Sequence, residues 1–254
     1  MGAARVAGGV ALVTGASSGL GRRFAALLAE CGLAVAVTAR REDRLRGLVD
    51  EITAKGGRAR AFALDVTDAA AITRVVAEVE AAFGVVDVLV NNAGIADGDW
   101  AVKLPLELVD RVIDTNFRAP FLLSCAVAER LIATGAPGRI VNLSSMGAYV
   151  AAPRTAAALY CATKGGVSRL TETLALEWAA YNINVNAIAP GLFRSEMSGA
   201  HLARKGEEKV TASFPRKRVG EAEQLDSTLL YLLAPGSEMV TGVTIKVDDA
   251  QMQR

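Results

Sequence analysis

Tyr160 and Lys164 stand four residues apart in Tyr160-Cys161-Ala162-Thr163-Lys164. In a helix that spacing puts both side chains on one face, about one turn apart. A tyrosine hydroxyl ionises near pH 10 and is a poor base at neutral pH, but a nearby cation favours the phenolate. Bringing it close to neutrality takes about 4 kcal/mol of differential stabilisation, which Lys164 and a bound nicotinamide cation can supply together. A tyrosine tuned in this way can hand a proton to a carbonyl oxygen as hydride reaches the carbon. An exposed tyrosine beside a solvated lysine would share the spacing, so the pair needs a context.

The context begins at Thr14-Gly15-Ala16-Ser17-Ser18-Gly19-Leu20-Gly21. Glycines here let the backbone turn sharply and approach a pyrophosphate, and the following helix N-terminus offers free N–H groups. The end of the second strand then separates two cofactors. A carboxylate there bonds the adenosine ribose of NAD, whereas an arginine accommodates the 2′-phosphate of NADP. The chain reads Thr38-Ala39-Arg40-Arg41, with no acid at the strand end. Arg40 is the expected phosphate partner with Arg41 assisting, against the alternative of a solvated arginine pair. Glu42 and Asp43 open the next helix, where acids suit the positive dipole end. The cofactor expected is NADP(H), with NAD(H) as the second choice.

Short β-branched runs alternate with Ala/Leu-rich segments along the whole chain. Strands are predicted over 10–14, 35–38, 60–64, 86–91, 139–143, 183–188 and 244–247, with helices near 20–31, 42–55, 68–83, 105–133, 158–180 and 221–234. Successive apolar residues, as in Val10-Ala11-Leu12-Val13, suit strands covered on both faces. The alternation implies right-handed crossovers and a doubly wound, mostly parallel seven-stranded sheet with helices on both faces. No linker or repeat divides the 254 residues, so 1–254 is read as a single domain. The segment 191–220 is the least regular, with short and broken helical content, and reads as a functional loop.

Hydrophobic residues make up 52% of the chain, enough for a substantial core, and the formal charge is +1. That balance argues against nucleic-acid binding. No apolar run reaches the roughly 20 residues of a membrane span. The N-terminal residues show no signal-peptide pattern. Cys31, Cys125 and Cys161 lack metal-ligand spacing, so no metal site is expected and a reducing, cytoplasmic setting fits.

Taken together, these features resemble the short-chain dehydrogenase/reductase family in its single-domain branch, with its Rossmann fold. Residues 14–21 match its TGxxxGxG, Asn91-Asn92-Ala93-Gly94 its NNAG, and 160–164 its YxxxK; Pro190-Gly191 with Ser195 looks like its PG turn and the hydroxyl near the carboxamide. The resemblance implies that Tyr160 is the general acid/base and that Lys164 binds the nicotinamide ribose while lowering the tyrosine pKa. It implies that Asn116 holds a water for proton relay. Gly15, Ser17, Ser18, Gly19, Leu20 and Gly21 would cradle the cofactor. Asn92, Ala93 and Gly94 would contact its adenosine side, as would Asp65, bonded to the adenine amino group, and Val66 beside it. Asp68 is the better placed of the two acids to cap the next helix.

The family's serine usually stands thirteen residues before the tyrosine, where this chain has Gly147. Ser145, at the end of the fifth strand, is preferred for that role, with Ser144 in reserve and two extra loop residues near Pro153 and Arg154. The expected activity is hydride transfer between NADP(H) and a carbonyl or secondary alcohol. A nucleotide-binding regulator without turnover and a sugar-nucleotide epimerase are the competing readings. Retention of Asn116, Ser145, Tyr160 and Lys164 speaks against the first; the glycine spacing and chain length speak against the second. The lid carries Phe193, Met197, Leu202, Val210 and Phe214, compatible with a partly apolar small-molecule substrate. His201 contacts substrate or is simply solvated, and Arg194, Arg204 and Lys205 greet an acidic group or form a solvated face. The family implies a homotetramer or homodimer.

Overall fold

A computed structural model describes residues 9–150 and 156–251. Seven strands form one sheet: β1 Val10–Thr14, β2 Ala34–Ala39, β3 Arg58–Ala63, β4 Val88–Asn91, β5 Gly138–Leu143, β6 Ile183–Pro190 and β7 Thr244–Val247. Their order is β3-β2-β1-β4-β5-β6-β7, and every neighbouring pair is parallel. The expected fold is thus present as an all-parallel sheet in a single domain.

The nine α-helices among the described residues are α1 Gly19–Glu30, α2 Glu42–Ala54, α3 Ala69–Phe83, α4 Leu106–Ile113, α5 Ala119–Thr134, α6 Ala158–Trp178, α7 Glu196–Lys205, α8 Glu207–Thr211 and α9 Asp226–Leu233. In β1, Ala11 and Val13 join a core layer with α1, α2 and α9, while Val10 and Leu12 join the layer with α3, α5 and α6. Period-two alternation sends apolar side chains into both layers, which is why the strand reads as an unbroken apolar run.

Two helical predictions are refined. The stretch predicted as one helix over 105–133 holds α4 and α5 joined through a π-helical turn, Asp114–Arg118. The stretch 221–234 is a 3₁₀ turn, Ala222–Leu225, followed by α9. Asp68 accepts from the N–H groups of Ala70 and Ala71 and so caps α3, as predicted. The loop around Pro153 and Arg154, and with it the account of the serine spacing, lies outside the described residues.

Strand order reverses between β1 and β4. In a doubly wound sheet this switch point opens a crevice at the carboxyl ends of the strands, where ligands bind. The segments after β1, β4, β5 and β6, which carry the sequence's chemical motifs, all start from that edge.

Candidate active site

The turn after β1 is built together with the segment after β4. Thr14 Oγ1 accepts from the N–H groups of Asn92 and Ala93, both at 3.0 Å, and Asn92 Nδ2 donates to the Thr14 carbonyl at 2.9 Å. This packing explains two glycines. A Cβ on Gly15 (φ +66°) would lie 2.9 Å from Ala93 Cα, and one on Gly21 would strike Asn92 Nδ2 and the Gly15 carbonyl. Asn91 points into the protein instead, donating to Ser124 Oγ at 3.0 Å and Asn142 Oδ1 at 2.9 Å. Asn142 continues the chain of bonds to Thr171.

The residues at this turn fit a dinucleotide. Ser18 opens α1 without a side-chain cap, so the first-turn N–H groups have no hydroxyl or carboxylate of their own at the cap. Arg41 Nη2 donates to Ser17 Oγ at 2.9 Å and Ser18 Oγ at 3.1 Å, setting a guanidinium over the turn. Ser195 caps α7, accepting from Ser198 N at 3.2 Å. Its Cβ would be 3.2 Å from a Cβ on Gly19, so the segment after β6 passes over the glycine turn.

Arg41, rather than Arg40, is the arginine brought onto that turn. Arg40 acts on Asp65, whose carboxyl is held below its usual value: burial pushes it up, but two bonds from Thr67 and the Arg40 charge outweigh that. Asp65 Oδ1 accepts from Thr67 N at 3.0 Å and Thr67 Oγ1 at 2.8 Å, while the adjoining Val66 is buried. Gly191, just beyond Pro190, has no room for a side chain because Gln251 and Asp248 press against it. Gln251 Oε1 accepts from Leu192 N at 2.5 Å, so the C-terminal segment braces the start of the 191–220 segment.

Tyr160 and Lys164 lie in the first two turns of α6, with Lys164 Nζ 5.8 Å from the phenol ring centre. Lys164 is only 4% exposed, and Nζ donates to the Leu143 carbonyl at 2.7 Å. Burial brings its pKa down to about 8. The expected depression of the Tyr160 pKa is absent in the chain by itself. Burial dominates and raises it, Ser145 draws it partly back by hydrogen bonding, and Cys161 and Asp97 add to the rise. The ring sits in a low-dielectric setting that penalises a phenolate.

The two serines separate by geometry. Ser144, 4% exposed, donates to the Lys164 carbonyl at 3.0 Å and lies 2.8 Å from Ser168 Oγ, which ties β5 to α6. Ser145 Oγ accepts from Gly147 N at 3.0 Å and is the hydroxyl beside Tyr160. A Cβ on Gly147 would sit 3.1 Å from Cys161 Sγ and 3.4 Å from Ser145 Oγ, so this position has little room for a serine.

Asn116, fully buried in the π-helical turn, is tied at both ends of its amide. Oδ1 accepts from Ile95 N and Nδ2 donates to the Ile95 carbonyl, both at 2.8 Å. It therefore holds the segment after β4 in place. Gly94 sits between them: a Cβ there would be 3.5 Å from Asn116 Oδ1 and 3.6 Å from Lys164 Nζ.

The model of the short chain dehydrogenase family matches residues 9–206, which include the glycine turn, Asn116, Ser145, Tyr160 and Lys164. The chain belongs to the short-chain dehydrogenase family. A γ-butyrolactone 1′-reductase of the A-factor type from Streptomyces virginiae is 40% identical over 94% of this chain and 93% of its own. An NAD-dependent glycerol dehydrogenase from Listeria innocua is 35% identical over 94% and 92%. A gluconate 5-dehydrogenase from Burkholderia cenocepacia, solved with NADP and tartrate, superposes with a TM-score of 0.90 at 32% identity, covering 97% of this chain and 96% of that one.

Two further residues of this short-chain dehydrogenase escaped the sequence reading. Asp97, 4% exposed, accepts from the N–H groups of Leu159 at 3.0 Å and Tyr160 at 3.1 Å, capping the helix that carries the tyrosine. Glu196, the first residue of α7, pairs with both Arg41 and Arg44. Neither partner set is local in sequence, so no motif announces it. The apolar residues of the 191–220 segment divide: Phe193, Leu202 and Phe214 are buried in the protein, whereas Met197 is 44% exposed. His201 is partly buried, and burial, Lys205 and Arg204 lower its pKa. Among the described residues, no group of side chains is arranged to hold a metal and no helix is long and apolar enough to cross a membrane.

Proposed function

We propose that the chain transfers hydride reversibly between NADP(H) and a carbonyl/secondary-alcohol pair, with Tyr160 as the general acid/base. The observation that carries the reading is the convergence of Ser145, Tyr160 and Lys164 at the carboxyl edge of the sheet that also bears the glycine turn. Gly15, Ser17, Ser18, Gly19, Leu20 and Gly21 would hold the pyrophosphate side. Arg41, with Arg40 farther out, would meet the 2′-phosphate. Asp65, Val66, Asn92, Ala93 and Gly94 line the adenosine side, and Pro190, Gly191 and Ser195 the nicotinamide side.

When bound, the cofactor supplies or accepts the hydride. The protein's own residues manage one proton. Ser145 polarises the carbonyl by hydrogen bonding, and Tyr160 gives its proton to the same oxygen. Because burial holds the Tyr160 hydroxyl above its ordinary pKa, the chain alone rests with that proton in place, the state that carbonyl reduction uses. Lys164, with a pKa of about 8, remains mostly an ammonium at neutral pH and offers its other N–H bonds to the nicotinamide ribose. Asn116 and Asp97 act by positioning, the first on the segment after β4 and the second on the start of α6.

A second reading, preference for NAD(H), has support from the similarity to the NAD-dependent glycerol dehydrogenase. Absorbance of the reduced nicotinamide, followed with NADPH and NADH against simple ketones, sugars and 3-oxoacyl thioesters, tests both. Turnover favouring NADPH supports the proposal; preference for NADH moves the chain to the second reading. Inactivity with either, despite tight NADPH binding, makes it a regulator. We also propose a homo-oligomer, a tetramer or dimer, because Ile113, Phe117 and Phe121 leave apolar surface exposed from the end of α4 through the π-helical turn into α5; a cytoplasmic setting fits the three free cysteines. Light scattering at working concentration tests the oligomer, and a monomer overturns it.

A further inference from the structure

We propose that Glu196 occupies the donor set of the cofactor's 2′-phosphate and thereby sets how strongly the site prefers NADP(H) over NAD(H). This rests on the cofactor reading above and names a specificity-determining residue for it.

The carboxylate of Glu196 accepts from Arg41 Nη1 at 3.2 Å and Nη2 at 2.7 Å, and it also pairs with Arg44. The Ser18 hydroxyl lies within hydrogen-bonding reach of it as well. Arg41 in turn donates to Ser17 and Ser18. Two guanidinium groups and a hydroxyl directed at one set of oxygens are what recognises a phosphate, and a carboxylate is the smaller anion that the same fork accepts. The chain fills this anion site with its own acid, drawn from a helix 155 residues away from Arg41 in sequence.

Local structure favours the arrangement. Ser195 and Ser198 form a reciprocal cap at the start of α7, which fixes the direction of the first helical residue. That residue is an acid at the positive end of the helix dipole. Arg41 and Arg44 keep its carboxyl ionised, holding the pKa near 2. Glu196 is therefore charged at any pH at which the site would meet a cofactor.

Two consequences follow for binding. A cofactor with a 2′-phosphate must displace the Glu196 carboxylate from the donors it needs, and the two anions repel each other where both are present. A cofactor with a plain ribose makes no such demand. The phosphate, with a charge near −1.5 to −2, outcompetes a carboxylate of −1 for the same arginines, so the site discriminates for NADP(H) but less than its arginines alone allow. Displacement also frees the first turn of α7 from the glycine turn, which links cofactor capture to the position of the lid.

The test compares wild type with Glu196→Gln, which keeps the size and removes the charge. Dissociation constants for NADPH, NADH and 2′,5′-ADP are measured by calorimetry, with thermal unfolding as a control for folding; both pairs are surface-exposed, so the variant is expected to fold. The ratio of the NADH to the NADPH dissociation constant should rise about fivefold, the upper range for releasing an exposed ion pair, and 2′,5′-ADP should bind correspondingly more tightly. A gain of NADPH preference in the variant supports the proposal even where wild type shows none. Wild type that prefers NADPH with an unchanged ratio in the variant overturns this inference alone. Weaker NADPH binding by the variant also overturns it, because Glu196 would then be a clasp over the bound cofactor. No preference in either protein overturns both this inference and the NADP reading.

Discussion

Replacing Lys164 with methionine isolates the cost of burying its charge. The lysine is 4% exposed and its pKa falls from 10.5 to about 8 through burial. A fall of that size corresponds to about 3 kcal/mol by which the folded chain disfavours the ammonium below pH 8. Unfolded chains bind this proton up to pH 10.5, so between the two values the unfolded state carries more protons and stability rises with pH. The cost is present in full below pH 8 and fades as pH climbs. Lys164→Met also removes the Nζ bond to the Leu143 carbonyl, so the stability difference at any single pH mixes two effects. The slope is the cleaner observable. Guanidinium unfolding of both proteins without cofactor, from about pH 7 to pH 10, should show wild type gaining about 2 kcal/mol on the variant between pH 8 and pH 10. Titrations of Tyr160 and the cysteines occur in both proteins and largely cancel in the difference. Parallel pH profiles would refute the buried-cation account, and a wild type losing ground on the variant would reverse its sign.

The other predictions concern the neighbours of the pair. Ser145→Ala should lower kcat by about 100-fold with stability retained, whereas Ser144→Ala should cost about 1 kcal/mol of stability and spare most turnover; steady-state kinetics and denaturation of both variants check this. Asp97→Asn should lower kcat and destabilise by about 1–2 kcal/mol, since it weakens the cap over Leu159 and Tyr160. Because the Asp97 charge helps to raise the Tyr160 pKa, the pH–rate profile of that variant should move to lower pH, which loss of structure alone would not produce.

Much of this molecule is legible from its residues. Strand β1 is visible because its apolar residues feed two core layers, and the glycine turn because Gly15 and Gly21 press on the segment after β4. The α6 pair is visible because helical spacing is short-range information. What escaped the sequence depends on partners far apart in the chain. Nothing near Asp97 reveals that it caps a helix 62 residues on. That Arg41 rather than Arg40 reaches Ser17 is a matter of how the end of β2 meets the turn, and neighbouring arginines look alike in a sequence. The Tyr160 pKa was expected to fall with Lys164 and a nicotinamide cation acting together; in the chain alone burial dominates and raises it, and burial exists only in the folded chain. The Asn116 amide likewise meets both main-chain groups of Ile95, 21 residues back, a pairing that no local motif announces.

In the proposed reaction Tyr160 manages the proton of a hydride transfer. Its most direct test is Tyr160→Phe, measured for turnover with a competent carbonyl substrate and for NADPH binding on the same preparation. The expected result is a loss of kcat of at least about 1,000-fold, with the NADPH dissociation constant changed by less than about threefold. Turnover within about tenfold of wild type would contradict it, and the proton would then have to come from another group.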